Sequence, residues 1–155
     1  MDLKDKIIVV TGGASGIGRE MCRRFTREGA SRVIVADLNG AGAKAVAEEI
    51  GSVGHAVDVR SEQDLIALIE DTESQFGPID LFCSNAGIGI GKDIFEPDEV
   101  WQTIWEVNTM SHVWAARHLV PRMIARGGGY LLNTASAAGL LSQIGSATYA
   151  VTKHA

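Results

Sequence analysis

The sequence has few of the residues that mark disulfide-linked, metal-binding or membrane-spanning proteins. Only two cysteines occur in 155 residues, and neither lies in a Cys-x-x-Cys or Cys/His pattern. We therefore expect Cys22 and Cys83 to be buried, reduced thiols. The four histidines show no metal-ligand spacing either. No apolar run approaches the roughly 20 residues of a membrane span, and residues 7–10 are too short for a signal-peptide core. These absences predict a cytoplasmic protein without a metal.

Positive charge is also scarce. Lys and Arg total 14 against 19 Asp and Glu, which gives a net charge of −5 at pH 7. This balance argues against nucleic acid or a membrane surface as a partner. It does not exclude an anionic cofactor, because backbone N–H groups can bind phosphate on an acidic protein. The apolar content of 46% and the length indicate a single domain over residues 1–155.

Short apolar runs alternate with segments of helical spacing along the chain. Residues 7–10 form a β-branched run typical of a strand buried on both faces of a parallel sheet. Further strands are predicted at residues 32–37, 55–59, 79–84 and 130–135, and helices at residues 19–28, 41–50, 61–76 and 105–126, with a helical pattern opening at Pro97. This alternation predicts an α/β fold with a doubly wound parallel sheet, which binds ligands at the carboxyl ends of its strands.

A glycine-rich turn, residues 11–18, joins the first strand to the first helix. Gly12 permits a tight turn, Gly16 lets the backbone approach a pyrophosphate, and Gly18 lets the helix pack close to the sheet. The helix N-terminus supplies free N–H groups and a positive dipole. The spacing is GxxxGxG rather than the usual GxGxxG. The turn therefore predicts a binding site for the phosphates of a dinucleotide.

Asp37 ends the second predicted strand, about 20 residues beyond the glycines. A carboxylate there can accept hydrogen bonds from the adenosine ribose hydroxyls, and it would repel a 2′-phosphate. Leu38 and Asn39 follow it, so no adjacent cation would attract that phosphate. The sequence therefore favours NAD over NADP. Asp37 could also be the N-cap of the helix at residues 41–50, and the two roles are compatible.

Tyr149 and Lys153 are four residues apart, which places them on one face of a helix. A cation beside a phenol stabilises the phenolate and makes a tyrosine a usable acid or base near neutral pH. Alone, the pair fits two surface neighbours equally well. The glycine turn, Asp37, Asp58, residues 85–87 and Ser136 all follow predicted strands, so we expect them to converge at one edge of the sheet.

Together these motifs resemble the classical branch of the short-chain dehydrogenase/reductase family. Ser136 precedes Tyr149 by the usual spacing, and the resemblance covers the whole chain. The matching residues are Thr11, Gly12, Gly16, Ile17, Gly18, Asp37, Asp58, Val59, Asn85, Ala86, Gly87, Asn108, Ser136, Tyr149 and Lys153. The resemblance implies a Rossmann-like sheet with strand order 3-2-1-4-5. Family members usually continue well beyond the tyrosine motif, so we expect the domain to be incomplete at its C-terminus, without the family's last strands.

The resemblance also implies roles for these residues. Tyr149 would exchange a proton with the substrate oxygen, Lys153 would stabilise its phenolate and hold the nicotinamide ribose, and Ser136 would orient the substrate oxygen. Asn108 would position a water that continues the proton relay. The cofactor would be bound by Gly12, Ser15, Gly16, Ile17, Gly18, Asp37, Asp58, Val59, Asn85, Ala86 and Gly87, together with Tyr149 and Lys153.

The expected function is that of an NAD(H)-dependent oxidoreductase that interconverts a secondary alcohol and a ketone. The alternative is a nucleotide-binding fragment or scaffold without turnover. Leu140, Leu141 and Ile144 lie where a substrate pocket is expected and favour an apolar substrate. Family members commonly pair through the long helix and the tyrosine helix, so the resemblance implies a homodimer or homotetramer.

Overall fold

The computed structural model describes residues 2–155, in which five parallel strands form one sheet in the order β3-β2-β1-β4-β5. The strands are β1 (Ile7–Thr11), β2 (Arg32–Asp37), β3 (Gly54–Ala56), β4 (Leu81–Ser84) and β5 (Tyr130–Asn133). The helices are α1 (Gly16–Arg27), α2 (Gly40–Glu49), α3 (Glu62–Phe76), α4 (Asp98–Trp105), α5 (Ser111–Ala125) and α6 (Ala147–His154). A π-helical turn (Glu106–Met110) joins α4 to α5, and a 3₁₀ turn (Ala137–Gly139) precedes α6.

The central strand β1 is covered by an apolar layer on each face. Val9 lies beside Ile34 and Phe82 in the sheet, and these side chains belong to the layer that includes α3 and α5. Ile8 and Val10 face the opposite layer, which includes α1 and α2. The chain winds outward from β1 to β3 and then returns to β4 on the other side of β1. This reversal opens a crevice at the carboxyl ends of β1 and β4, so the predicted fold class and strand order are confirmed.

The strand predicted at residues 130–135 ends at Asn133 as β5. Two further strands are shorter than the sequence predicts, because side chains replace part of the ladder. The strand predicted at residues 55–59 is observed as β3, whose pairing ends with Ala56 opposite Asp37. The strand predicted at residues 79–84 begins only at Leu81 as β4. There the Asp80 carboxylate accepts a hydrogen bond from the backbone N–H of Ile7 at 2.9 Å. The apolar runs thus overestimate both strands.

The long helix predicted at residues 105–126 is part of a longer helical segment that begins at Asp98 and contains the π-helical turn. The Ser111 hydroxyl donates to the Val107 carbonyl at 2.6 Å, and such a bond perturbs the regular helical ladder. Pro121 lies inside α5 without ending it. Apolar spacing alone does not reveal the turn, since a π turn changes the register by a single residue.

Both cysteines are fully buried and free, as the sequence predicts. Burial raises the pKa of each thiol to about 12. Among residues 2–155, no helix combines the length and apolar character needed to cross a membrane. The same residues contain no group of three or more His, Cys, Asp or Glu side chains that could hold a metal ion.

Candidate functional site

A cleft of about 1030 Å³ lies at the carboxyl ends of the strands. All the site residues predicted from the sequence line it, except Asn108. They are Gly12, Ser15, Gly16, Ile17, Gly18, Asp37, Asp58, Val59, Asn85, Ala86, Gly87, Ser136, Tyr149 and Lys153. The sequence analysis did not single out Leu38 or Thr134 as site residues, and both also line the cleft. The expected convergence at one edge of the sheet is therefore observed.

The glycine-rich turn is shaped by close contacts that leave no room for side chains at Gly12, Gly13 and Gly18. Gly12 has a φ of +67°, and a Cβ there would lie 2.9 Å from the Ala86 Cα. A Cβ on Gly18 would collide with the Gly12 carbonyl. A Cβ on Gly16 would meet nothing within 4 Å, although its φ of +51° still favours glycine. Gly12 and Gly18 thus close the turn onto the sheet, while Gly16 borders open space in the cleft.

The N-terminus of α1 faces the cleft, and no side chain caps its backbone N–H groups. Ser15 is the N-cap residue, but its side chain forms no capping hydrogen bond. The first turn of α1 carries no acidic residue, and Ile17 beside it is 65% exposed. Free N–H groups and the positive end of the helix dipole therefore remain for an anion. These features fit the pyrophosphate of a dinucleotide.

Asp37 is fixed by two backbone donors. Its Oδ2 accepts from the N–H of Ala14 at 3.0 Å, and its Oδ1 accepts from the N–H of Asn39 at 2.9 Å. The N-cap of α2 is Asn39, whose Oδ1 accepts from the N–H of Gly42 at 3.0 Å, so the capping role considered for Asp37 is wrong. Each carboxylate oxygen keeps a lone pair for a further hydrogen bond, which fits the hydroxyls of a ribose.

Asp58 carries an ion pair that the sequence analysis missed. The Arg60 guanidinium lies 2.6 Å from the carboxylate, and this contact holds the pKa of the Asp58 carboxyl below its usual range. Asp58 is therefore an anionic acceptor at neutral pH. The side chain of Val59 is buried and forms an apolar part of the cleft wall. Asp58 and Arg60 are two residues apart in a loop, and that spacing is not enough to predict an ion pair from the sequence.

The ends of β1 and β4 are joined by the Thr11 side chain. Its hydroxyl donates to the Cys83 carbonyl at 3.2 Å and accepts from the N–H groups of Asn85 and Ala86 at 3.0 and 3.1 Å. The Asn85 amide nitrogen donates to the Thr11 carbonyl at 3.1 Å. Since Thr11 is buried, these bonds exchange little with water. They fix the loop after β4 against the start of the glycine turn.

Tyr149 and Lys153 lie one turn apart on α6, and both line the cleft. The Lys153 ammonium is 5.8 Å from the centre of the Tyr149 ring, and it donates to the Thr134 carbonyl at 3.2 Å. Ser136 also lines the cleft, at the start of the 3₁₀ turn, where its Oγ accepts from the N–H of Ala138 at 3.2 Å. The Ser136 hydroxyl therefore keeps its own proton for a further acceptor.

Asn108 lies in the π-helical turn, behind the cleft wall. Its Oδ1 accepts from the N–H of Ile88 at 2.9 Å, and its amide nitrogen donates to the Ile88 carbonyl and to the Thr152 hydroxyl at 2.9 and 3.0 Å. The side chain thus joins the loop after β4 to α6. Both amide protons are used within the protein, which makes Asn108 a support for α6 rather than a wall of the cleft.

Lys153 also acts on His112 of α5. Burial and the nearby Lys153 ammonium hold the pKa of His112 below its usual value, against a side-chain hydrogen bond to Asn133 that raises it. His112 is therefore neutral at physiological pH.

Known proteins resemble this chain in sequence and in fold. The family model described as short chain dehydrogenase matches residues 6–155. The 1-deoxy-11-beta-hydroxypentalenate dehydrogenase of Streptomyces exfoliatus is 38% identical over 100% of this chain and 59% of its own length. A 7α-hydroxysteroid dehydrogenase solved with NADH and 7-oxo glycochenodeoxycholic acid has a TM-score of 0.92 and 31% identity, over 99% of this chain and 62% of its own.

A second solved structure is equally similar in shape. A short chain dehydrogenase/reductase from Burkholderia phymatum, solved in complex with NAD, has a TM-score of 0.95 and 28% identity. That alignment covers 99% of this chain and 57% of the other chain. The chain thus spans about three fifths of the length of the relatives it matches.

Proposed function

Because the chain belongs to the short-chain dehydrogenase family, we propose that it is an NAD(H)-dependent oxidoreductase that interconverts a secondary alcohol and a ketone. One observation carries the proposal. Ser136, Tyr149 and Lys153 line the same cleft as the glycine turn and Asp37, so a proton-transfer group and a dinucleotide site border one space. A binding protein without turnover would need the glycine turn, Asp37 and Lys153, but it would not need the Ser136 hydroxyl in the same cleft.

The cofactor would lie along the carboxyl edge of the sheet. Its pyrophosphate fits the N-terminus of α1 at Ser15 and Ile17, and its adenosine ribose fits the free lone pairs of Asp37. Asp58 and Val59 would flank the adenine, and Lys153 would hold the nicotinamide ribose. The nicotinamide supplies hydride acceptance and donation when bound, so the protein has to provide orientation and a proton.

The proton step falls to Tyr149. The phenol would take the hydroxyl proton of an alcohol, or return a proton to the oxygen of a ketone. The Lys153 ammonium stabilises the phenolate form. Ser136 has a proton to donate to the substrate oxygen and would hold it beside Tyr149. Asn108 would support this geometry by fixing α6, which carries both Tyr149 and Lys153.

The substrate is proposed to be an apolar alcohol or ketone. The segment between the 3₁₀ turn and α6 exposes large aliphatic side chains: Leu140 is 86% exposed, Leu141 65% and Ile144 fully exposed. Gln143 of this segment lines the cleft itself. Two of the similar proteins are named for rigid polycyclic substrates, a pentalenate and a bile acid derivative. Such a skeleton would cover the aliphatic side chains when its hydroxyl reaches Tyr149.

The test is turnover of a panel of polycyclic and acyclic secondary alcohols by the natural polypeptide, followed as NADH absorbance. Tyr149→Phe removes one oxygen, so it should keep NADH affinity while turnover falls by about 10²–10⁴-fold. NADH affinity is measured by fluorescence titration. Near-normal turnover in Tyr149→Phe, or NADH binding without turnover of any alcohol or ketone, would contradict the proposal.

A further inference from the structure

Thr134, just beyond β5, contacts three parts of the site. Its N–H donates to the Ser84 carbonyl at 3.1 Å, and its carbonyl accepts from the Lys153 ammonium at 3.2 Å. Its hydroxyl donates to Oδ1 of Asn85 at 2.9 Å. The first two contacts use the main chain and could be formed by any residue other than proline. Only the third depends on the side chain of Thr134.

The Asn85 side chain lies directly on the glycine turn. Its amide nitrogen donates to the Thr11 carbonyl. A Cβ added to Gly18 would come within 2.7 Å of that nitrogen, and a Cβ added to Gly12 within 3.2 Å. Because the Thr11 carbonyl can only accept, the amide nitrogen faces the glycine turn and Oδ1 faces Thr134, whose hydroxyl donates to it. The hydroxyl therefore anchors the end of the Asn85 side chain that lies away from the glycine turn.

We propose that the Thr134 hydroxyl is a positioning group for the reaction: through Asn85 it fixes the glycine turn relative to the carbonyl that holds Lys153. This inference rests on the proposed function, because it assigns Lys153 to the reaction. The pair formed by Thr134 and Asn85 connects the end of the cleft that fits the pyrophosphate to the end that carries the lysine. Loss of the hydroxyl should let the two ends shift relative to each other, although every residue that would touch cofactor or substrate remains.

The experiment compares Thr134→Ser with Thr134→Ala in the natural polypeptide, because these two variants differ only by the hydroxyl. Thr72→Val is the matched control. Thr72 is buried in α3, its hydroxyl has no partner, and it does not line the cleft. If Thr134→Ala does not fold, Thr134→Val takes its place, since valine keeps the β-branched shape.

Three readouts are measured for each variant: kcat and KM for the alcohol, the Kd of NADH by fluorescence titration, and Tm. Thr134→Ala should raise the Kd of NADH about fivefold, the size of one hydrogen bond. It should lower kcat about 10- to 100-fold through misplacement of Lys153, with little change in the KM for the alcohol. Thr134→Ser should restore most of both losses, and Thr72→Val should change neither.

Two results would overturn the proposal. One is a Thr134→Ala variant that loses only Tm, with wild-type kcat and NADH affinity, since the hydroxyl would then merely stabilise the fold. The other is a Thr134→Ser variant no better than Thr134→Ala. Failure of the proposed function looks different: the wild type would bind NADH and turn over no alcohol or ketone. The NADH affinities of the variants would still test the positioning role in that case.

Discussion

Replacement of Asp37 by alanine tests the choice between NAD and NADP. The carboxylate keeps a lone pair on each oxygen for the two ribose hydroxyls, and hydrogen bonds to a charged group contribute about 1.5–3 kcal/mol each. Water replaces part of this interaction in the open cleft of the variant, so we expect Asp37→Ala to weaken NAD(H) binding by about 2–3 kcal/mol, which is about 30- to 150-fold. The exposed Leu38 beside it offers no substitute acceptor.

The same change should help NADP(H). At about 4 Å in a water-exposed site, a unit charge pair contributes about 1 kcal/mol, and a phosphate carries about −1.5 to −2 charges. Removal of the carboxylate should therefore strengthen NADPH binding by about 10- to 30-fold. The two effects together should reduce the ratio of NADH to NADPH affinity by roughly three orders of magnitude.

The control must separate this effect from lost stability, because Asp37 also accepts from the N–H groups of Ala14 and Asn39. Asn39→Ala removes the N-cap of α2, at a cost of about 1 kcal/mol in unfolding free energy, and leaves the carboxylate in place. Fluorescence titration with NADH and NADPH, alongside thermal unfolding, distinguishes the two variants. The reasoning is refuted if the wild type prefers NADPH, or if Asn39→Ala shifts the preference as far as Asp37→Ala does.

Three further predictions concern the proton step, acid stability and assembly. Lys153→Met should lower turnover, since the phenolate that forms during proton transfer loses its neighbouring cation; near-normal turnover would contradict this. Burial raises the pKa of Glu73, but hydrogen bonds from Arg122, the Ile79 backbone and Arg126 hold it below its usual value. The resulting stabilisation is present above about pH 4.3 and disappears as pH falls below it, so Glu73→Gln should lower Tm more at pH 7 than at pH 3. Light scattering of the natural polypeptide should give a homodimer or homotetramer, because α5 exposes an apolar face that includes Ile124, 74% exposed; monomers at micromolar concentration would refute pairing.

The helices and strands that were predicted correctly are those whose own residues specify the local structure. The β-branched run of β1 and the cap Ser61 of α3, whose hydroxyl accepts from the N–H of Asp64 at 3.1 Å, both specify local structure. The strand order followed from the resemblance to a family, since apolar runs do not specify which strand pairs with which. The ends of β3 and β4 were wrong because carboxylates bond where the ladder would have continued: Asp64 accepts from the N–H of Asp58, and Asp80 accepts from the N–H of Ile7.

The site was predicted wherever a residue type has a chemical meaning at its position after a strand. Asp37 and Ser136 belong to this class, whereas Tyr149 was predicted from its helical spacing to Lys153. Thr134 and Arg60 do not belong to it. Thr134 bonds to Asn85, which is 49 residues away in the sequence, and Arg60 pairs with Asp58 at a two-residue spacing that is typical of no particular structure. The π-helical turn at Asn108 was missed for a related reason: Asn108 bonds to Ile88 and Thr152, and such contacts form only in the folded chain. The roles of the site residues, the single domain and the cytoplasmic location stay predictions.

The two buried thiols have a practical consequence for the study of motion. Cys22 on α1 and Cys83 on β4 are fully buried in the same apolar layer, and a thiol with a pKa near 12 presents almost no thiolate. An alkylating reagent can therefore reach them only when this layer opens. Mass spectrometry of each labelled cysteine would measure two opening rates separately. Cys22 reports on α1, the helix that follows the glycine turn, and Cys83 reports on β4, the strand that precedes Asn85. Labelling kinetics with and without NADH would then show which of the two elements the cofactor holds closed.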